Sequence, residues 1–278
     1  MPGDPALTAV RQCMRALLNG RYDDAERLAR DAFHGARARS VLEPVRDLCT
    51  LGLARDRAHA EALEAFTSLG SARRHEVTPA RCAMQAVALL ELGRCGEAHR
   101  VLDRLAPGGF ASLPRDGLWL SAIAHLAEAA AGVADTGSAS SLYELLAPRR
   151  GTQIVVGPQL PFGGSADRCL GLLAMTLDRE EAAASHFQVA LALNARLDAR
   201  PWLARTQVAL GRLLLANGDP AARKRGLALL RLAAGAASEL GMPAVAAEVE
   251  AALDDGAANG SLTGRADAPV VDGGGEPG

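Results

Sequence analysis

Apolar positions recur at helical spacing along almost the whole chain, in runs broken by short polar or glycine-containing turns. The clearest run opens at Leu170-Gly171 and continues GLLAMTL. A second run follows a short polar break and carries Ala183, Phe187 and Ala190 on one face. The same layout predicts helix pairs over residues 5–18 and 22–36, 42–55 and 58–71, and 78–105 with its turn at Gly93. It continues over 116–133 and 138–147, and over two pairs on either side of residue 200. Thr78 is placed to cap a helix, with Pro79 at its first position. A last helix is predicted over 244–253, starting after Met242-Pro243.

Small residues recur at fixed offsets within these pairs. Gly20, Ala25, Ala29 and Ala32 are spaced as Asp178, Ala183, Phe187 and Ala190 are. Ala98 with Leu102, and Ala139 with Tyr143 and Leu146, take comparable places. In the sixth pair the second helix is delayed, which puts Ala228 and Leu232 on its seam. Gly and Ala let two helix backbones approach, and Phe187 fills the space to the next pair. This is the small-apolar-small spacing of a tetratricopeptide repeat. Such a pair cannot bury its apolar face alone, so it stacks on its sequence neighbours. The expected fold is all-α: a right-handed superhelical solenoid of about six antiparallel helix pairs with a capping helix, over residues 1–253.

Two segments break the pattern. PRRGTQIVVGPQLPFGG, residues 148–164, is rich in Gly and Pro around Ile154-Val155-Val156, and reads as an inserted loop or short extended segment. From residue 254 the chain is rich in Gly, Asp and Ala and poor in large apolar residues, so 254–278 is expected to be a disordered tail.

Composition sharpens the fold class. Apolar residues make up 49% of the chain but aromatics only 3%, so the core must be built from Ala, Leu and Val, which suits close helix contacts. The net charge of -2 gives no general attraction to nucleic acid or to anionic membranes. No apolar run is long enough to span a bilayer, and no signal peptide stands out, so a cytoplasmic protein is expected. The five cysteines are odd in number and form no CxxC pair; they read as small buried hydrophobes.

LPRDGLWLSAIAHLAEAAAGVADTGSASSLYELLAP and GSADRCLGLLAMTLDREEAAASHFQVALALNARLDARPWLARTQVALGRLLLANGD resemble the carboxyl-terminal repeat region of large actinobacterial ATP-dependent regulators. ALLNGRYDDAERLARDAF is similar to the start of that region. The resemblance implies a helical repeat domain in a regulatory setting. The family's P-loop, G-x-x-x-x-G-K-[ST], is missing: Lys224, the sole lysine, lies in ARKRG. ATP hydrolysis and DNA binding are therefore not carried over, and no cofactor is expected.

Chemical motifs are sparse. Cys95 and His99 share a helix face, but no second pair stands at metal-ligand spacing, so packing is the expected role and no metal is expected. GPQLPFGG has the glycines of a phosphate loop but neither Lys nor Thr, and no G-x-S-x-G surrounds a serine. The repeat architecture itself points to one constellation. First helices line the concave face, which places Ser121, His125 and Glu128 there with Arg168, Arg205 and Arg212. Arg205 and Arg212 are two helical turns apart and share a face. Three guanidinium groups on neighbouring helices suit a carboxylate or phosphate. The expected role is a non-catalytic module that binds a protein or peptide segment, or a small anionic effector, with 148–164 folding over the groove. The alternatives are a split or remnant piece of a larger ATP-dependent transcriptional regulator, and an enzyme or biosynthetic accessory protein in which His125 and Glu128 supply the ionisable groups.

Overall fold

The computed structural model describes residues 5–33, 43–72, 78–157, 160–217 and 219–263. Among them the chain is overwhelmingly helical, with 13 α-helices and one two-stranded sheet. In order these are α1 (Pro5–Asn19), α2 (Tyr22–Ala32), α3 (Glu43–Asp56), α4 (Ala60–Ala72), α5 (Pro79–Glu91), α6 (Cys95–Leu105) and α7 (Trp119–Gly132). Then come α8 (Thr136–Leu146), β1 (Gln153–Val156), β2 (Leu160–Ser165), α9 (Ala166–Thr176), α10 (Glu180–Arg196), α11 (Arg200–Ala216), α12 (Pro220–Leu240) and α13 (Pro243–Thr263). No helix among the described residues is long and apolar enough to cross a membrane.

Each odd-numbered helix from α1 to α11 packs on the helix that follows it. Thr78 caps α5 by accepting from the Arg81 N–H, as its position before Pro79 implies. The link between α1 and α2 turns on Gly20, at φ +76°, a conformation in which a Cβ is strained. The equivalent Asp178 adopts the same left-handed region, at φ 55°.

The small-residue seam sits where its spacing puts it. Ala25, Ala98, Ala139, Ala183, Phe187 and Ala190 are fully buried. In α12 the expected seam is corrected: Leu232 is 60% exposed and Ala228 is also exposed, while Gly226, Leu230, Ala233 and Ala237 are buried. The cause is a glycine-to-glycine approach. A Cβ on Gly226 would lie 2.9 Å from the carbonyl oxygen of Gly211, so only this pair of residues lets α11 and α12 pack so closely.

Two further expectations change. Contacts are not confined to sequence neighbours, because α1 also packs on β2 and on α11. Asn19 donates to the Asp198 carbonyl at 2.8 Å, and Gly20 lies against Leu240 and Pro201. Tyr22 is buried with Ala204 and Val208. The first and last parts of the array therefore meet, and residues far apart in sequence share one core.

The tail boundary also moves. The last helix continues past residue 253 to Thr263, because Gly256 is buried against Leu215 and its carbonyl accepts from Arg223 at 2.9 Å. The rest of the expected tail, 264–278, lies outside the described residues. Truncation before Gly256 should cost about 1–3 kcal/mol, mainly through the lost charged hydrogen bond, whereas truncation after Thr263 should leave that contact intact. Urea denaturation of the two truncated chains checks this; equal midpoints would show that the Arg223 contact contributes nothing.

In this region residues 153–156 and 160–165 pair as an antiparallel hairpin, with Gln153 opposite Ser165 and Val156 opposite Leu160. Ile154 joins the core around α7 and α9, while Val156 and Leu160 join the core around α1 and α3. The hairpin is thus a wedge between distant helices.

Candidate functional site

A cavity of about 290 Å³ lies among α5, α7, α9 and α11, with α3 and α13 completing its wall. Its apolar lining includes Val87, Leu90, Leu172 and Val208. Its charged lining is Arg55, Glu91, Glu128, Arg168, Arg205, Arg212 and Glu248. Four of the six residues expected from sequence therefore meet at one place: Glu128, Arg168, Arg205 and Arg212.

Two of these, Glu128 and Arg205, do not stand open to a guest, and Arg168 is held through one of its nitrogens. Glu128 accepts from Arg168 at 2.8 Å through Oε1 and from Arg55 at 2.7 Å through Oε2. Arg55 also donates to Glu91 at 2.7 Å. Arg205, 3% exposed in its side chain, donates to Asp56 at 2.7 Å and to Glu248 at 3.3 Å. Tyr22 donates its hydroxyl to the other Asp56 oxygen at 2.9 Å. Burial opposes ionisation of Glu128, but Arg55 and Arg168 outweigh it and hold the carboxyl well below the usual carboxylate range. Burial likewise opposes the charge on Arg55, which Glu128 and Glu91 more than restore.

Arg212 differs. Its side chain is 43% exposed, and its acidic neighbour Asp255 stands 3.9 Å away, beyond hydrogen-bond reach. Arg168 contributes a second free donor. Its Nε is buried with no hydrogen-bond partner among the described residues, while its guanidinium lies 5.5 Å from the ring centre of Trp202.

Ser121 and His125 are corrected. Both are buried and neither lines the cavity. The reason is the position of α7, which is packed by α5 on one side and α9 on the other, so that only its C-terminal end opens. Ser121 donates to the Leu118 carbonyl at 2.8 Å. Burial pushes His125 down to about 4, against which the nearby Glu128 charge is the lesser effect. The unfolded chain therefore binds a proton on this ring at higher pH than the folded one. Stability from the neutral ring is complete above the ordinary histidine pKa of about 6.5 and is lost as pH falls toward 4. Between pH 7 and pH 5 the loss should be about 2 kcal/mol. Urea midpoints at the two pH values check it, and His125→Gln should flatten the slope; an equal slope in the variant would assign the loss elsewhere.

The hairpin does not cover the arginines. No described residue of 148–164 lines the cavity; the hairpin packs chiefly on α1, α7 and α10 instead. Beside the cavity lies a wider recess of about 460 Å³ that shares Met175 and Arg212 with it and adds the acidic residues Asp178, Glu180 and Asp255.

Sequence reasoning missed a second polar cluster. The Tyr143 hydroxyl lies 2.9 Å from His186 Nε2, and His186 Nδ1 lies 2.9 Å from Asp167 Oδ1. Asp167 Oδ2 accepts from the Gly151 N–H at 2.6 Å, so the chain ties α8, α9 and α10 to the start of the hairpin. Nothing in the sequence spacing marks it, since its members lie on three separate elements. Among the described residues, one group brings three metal-type donors within 4.8 Å of one another: His99, Asp103 and Asp135. Cys95, expected beside His99, is not in it. Asp135 is engaged as the cap of α8, accepting from the Ser138 N–H and hydroxyl.

Neither family models, nor curated proteins, nor solved structures show a match to this chain.

Proposed function

We propose that the chain is a non-catalytic binding module: a tetratricopeptide-like, right-handed array of six helix pairs that receives a small effector, or one side chain of a protein segment, in its concave cavity. The observation that carries this reading is the convergence of Glu128, Arg168, Arg205 and Arg212 from three different helices around one opening. A buried ion-pair network of this kind is weak support for stability, since apolar residues of similar volume often serve as well. Its lining combines charged groups with an apolar wall, the usual make-up of a small-molecule site. A regulatory setting follows from the resemblance of the repeat segments and belongs to the same proposal.

A thermal-shift screen of small polar metabolites and short peptides tests the module. Ala131 lines the cavity and is half-buried, so Ala131→Trp fills the opening without entering a sealed core. At least one compound should raise the melting temperature of the protein and not that of Ala131→Trp. If every stabilising compound acts equally on both, the cavity is not the site.

A further inference from the structure

The charge arrangement of the cavity selects its guest. Four arginines, Arg55, Arg168, Arg205 and Arg212, face four carboxylates, Glu91, Glu128 and Glu248 in the lining and Asp56 behind Arg205. The acids hydrogen-bonded to these arginines already balance them in number, and Asp255, 3.9 Å from Arg212, adds a further carboxylate at the rim. A guest that brings only a negative charge would leave that charge uncompensated in a partly dry space, which is costly. A guest with no anionic group would leave the free donors of Arg168 and Arg212 unused. A guest carrying one charge of each sign meets both conditions.

Donors and acceptors are available for such a guest. Among the described residues the Nε of Arg168 is buried and unpartnered, and Arg212 has no carboxylate within hydrogen-bond distance, Asp255 standing 3.9 Å away. On the other side, Glu248 is one-third exposed and receives a single long bond from Arg205. Val87, Leu90, Leu172 and Val208 offer an aliphatic wall. The volume of about 290 Å³ stands at the lower end of small-molecule pockets, which run from about 300 to 1,000 Å³.

We propose that the cavity binds a small zwitterion with an aliphatic body, of the class of a free branched-chain α-amino acid, its carboxylate on Arg168 Nε and Arg212 and its ammonium on Glu248. The proposal rests on the binding-module reading above and adds the ligand class to it. The anionic effector expected from sequence becomes the rival, because the arginines that motivated it are matched by acids.

Calorimetry on the full chain tests the class with three probes that share one carbon skeleton: leucine, 4-methylpentanoate with only the carboxylate, and 3-methylbutylamine with only the ammonium. Leucine should bind at least about tenfold more tightly than either single-charge analogue. Arg212→Ala should weaken leucine by about tenfold or more while leaving the melting temperature in place, since Arg212 is half-exposed. Equal affinity for 4-methylpentanoate would overturn the proposal in favour of a monoanion, and equal affinity for the amine would overturn it in favour of a cation. No heat from leucine at millimolar concentration would also overturn it. A screening hit blocked by Ala131→Trp would then leave the module standing with a different guest, so the two failures are distinguishable.

Discussion

Glu128→Ala should cost about 3–5 kcal/mol at neutral pH, the largest effect expected of any residue lining the cavity. The carboxylate is buried and is the only hydrogen-bonded acid partner of Arg168 among the described residues, while Arg55 retains Glu91. Its removal strands a guanidinium in the interior, and that orphaned charge, more than the lost pair, sets the size of the loss. For a domain of this length each kcal/mol moves the melting temperature by about 2–4 °C, so a fall of about 6–20 °C is expected. Glu128→Leu combined with Arg168→Met should recover much of it, because both charges leave together and Arg55 keeps a counter-ion. The pH dependence has a definite sign. The folded-state pKa of Glu128 is depressed, so its contribution is complete above the ordinary carboxylate range and is lost as acid titrates the group. The native protein should weaken in acid more steeply than Glu128→Ala does. A single variant within about 1 kcal/mol of the native protein would show that Arg168 reaches water or another acid when Glu128 is gone.

Phe187→Ala should cost a similar amount, about 3–5 kcal/mol, by emptying a fully buried ring site. The partner of that ring is the absence of a side chain. A Cβ on Gly171 would stand 2.5 Å from Phe187 Cε1 and 2.6 Å from Cδ1, so the ring lies directly on the α9 backbone. Gly171→Ala should therefore cost about 1–3 kcal/mol by overpacking. Phe187→Leu in the Gly171→Ala background should restore part of the loss, since the smaller side chain vacates the space that the new methyl takes. Denaturant midpoints of the two single variants and the double variant form the cycle. Strict additivity would mean that the two residues do not compete for one volume.

The pair also shows what was legible in sequence. Gly171 and Phe187 stand at a repeat spacing, and helical periodicity assigns them to facing helices before any contact is seen. Most helix pairs and the buried seam of Ala25, Ala98, Ala139 and Ala183 follow from the same local rule, because an amphipathic helix declares its buried face through a 3.6-residue period. Where that rule had two answers, as in the alanine- and leucine-rich α12, the seam was misplaced. Gly226 marked the correct face, but its meaning depends on Gly211 across the interface.

The site was legible as a set and not as a mechanism. Periodicity brought Glu128, Arg168, Arg205 and Arg212 to the inner helix faces, where the structure gathers them around one cavity. It also placed Ser121 and His125 there, and α5 and α9 bury both by closing on α7. Which acid neutralises which arginine was invisible, since Arg55 reaches Glu128 across 73 positions and Arg205 reaches Asp56 across 149. The helical class, the turns and the small-residue contacts are local matters, encoded within a few turns of chain. The meeting of the first and last helices, the hairpin wedge, the extended α13 and the charge balance of the cavity were decided only by tertiary structure. Packing and Coulomb energy depend on distance in space, and sequence spacing reports that distance only within one element or between adjacent ones.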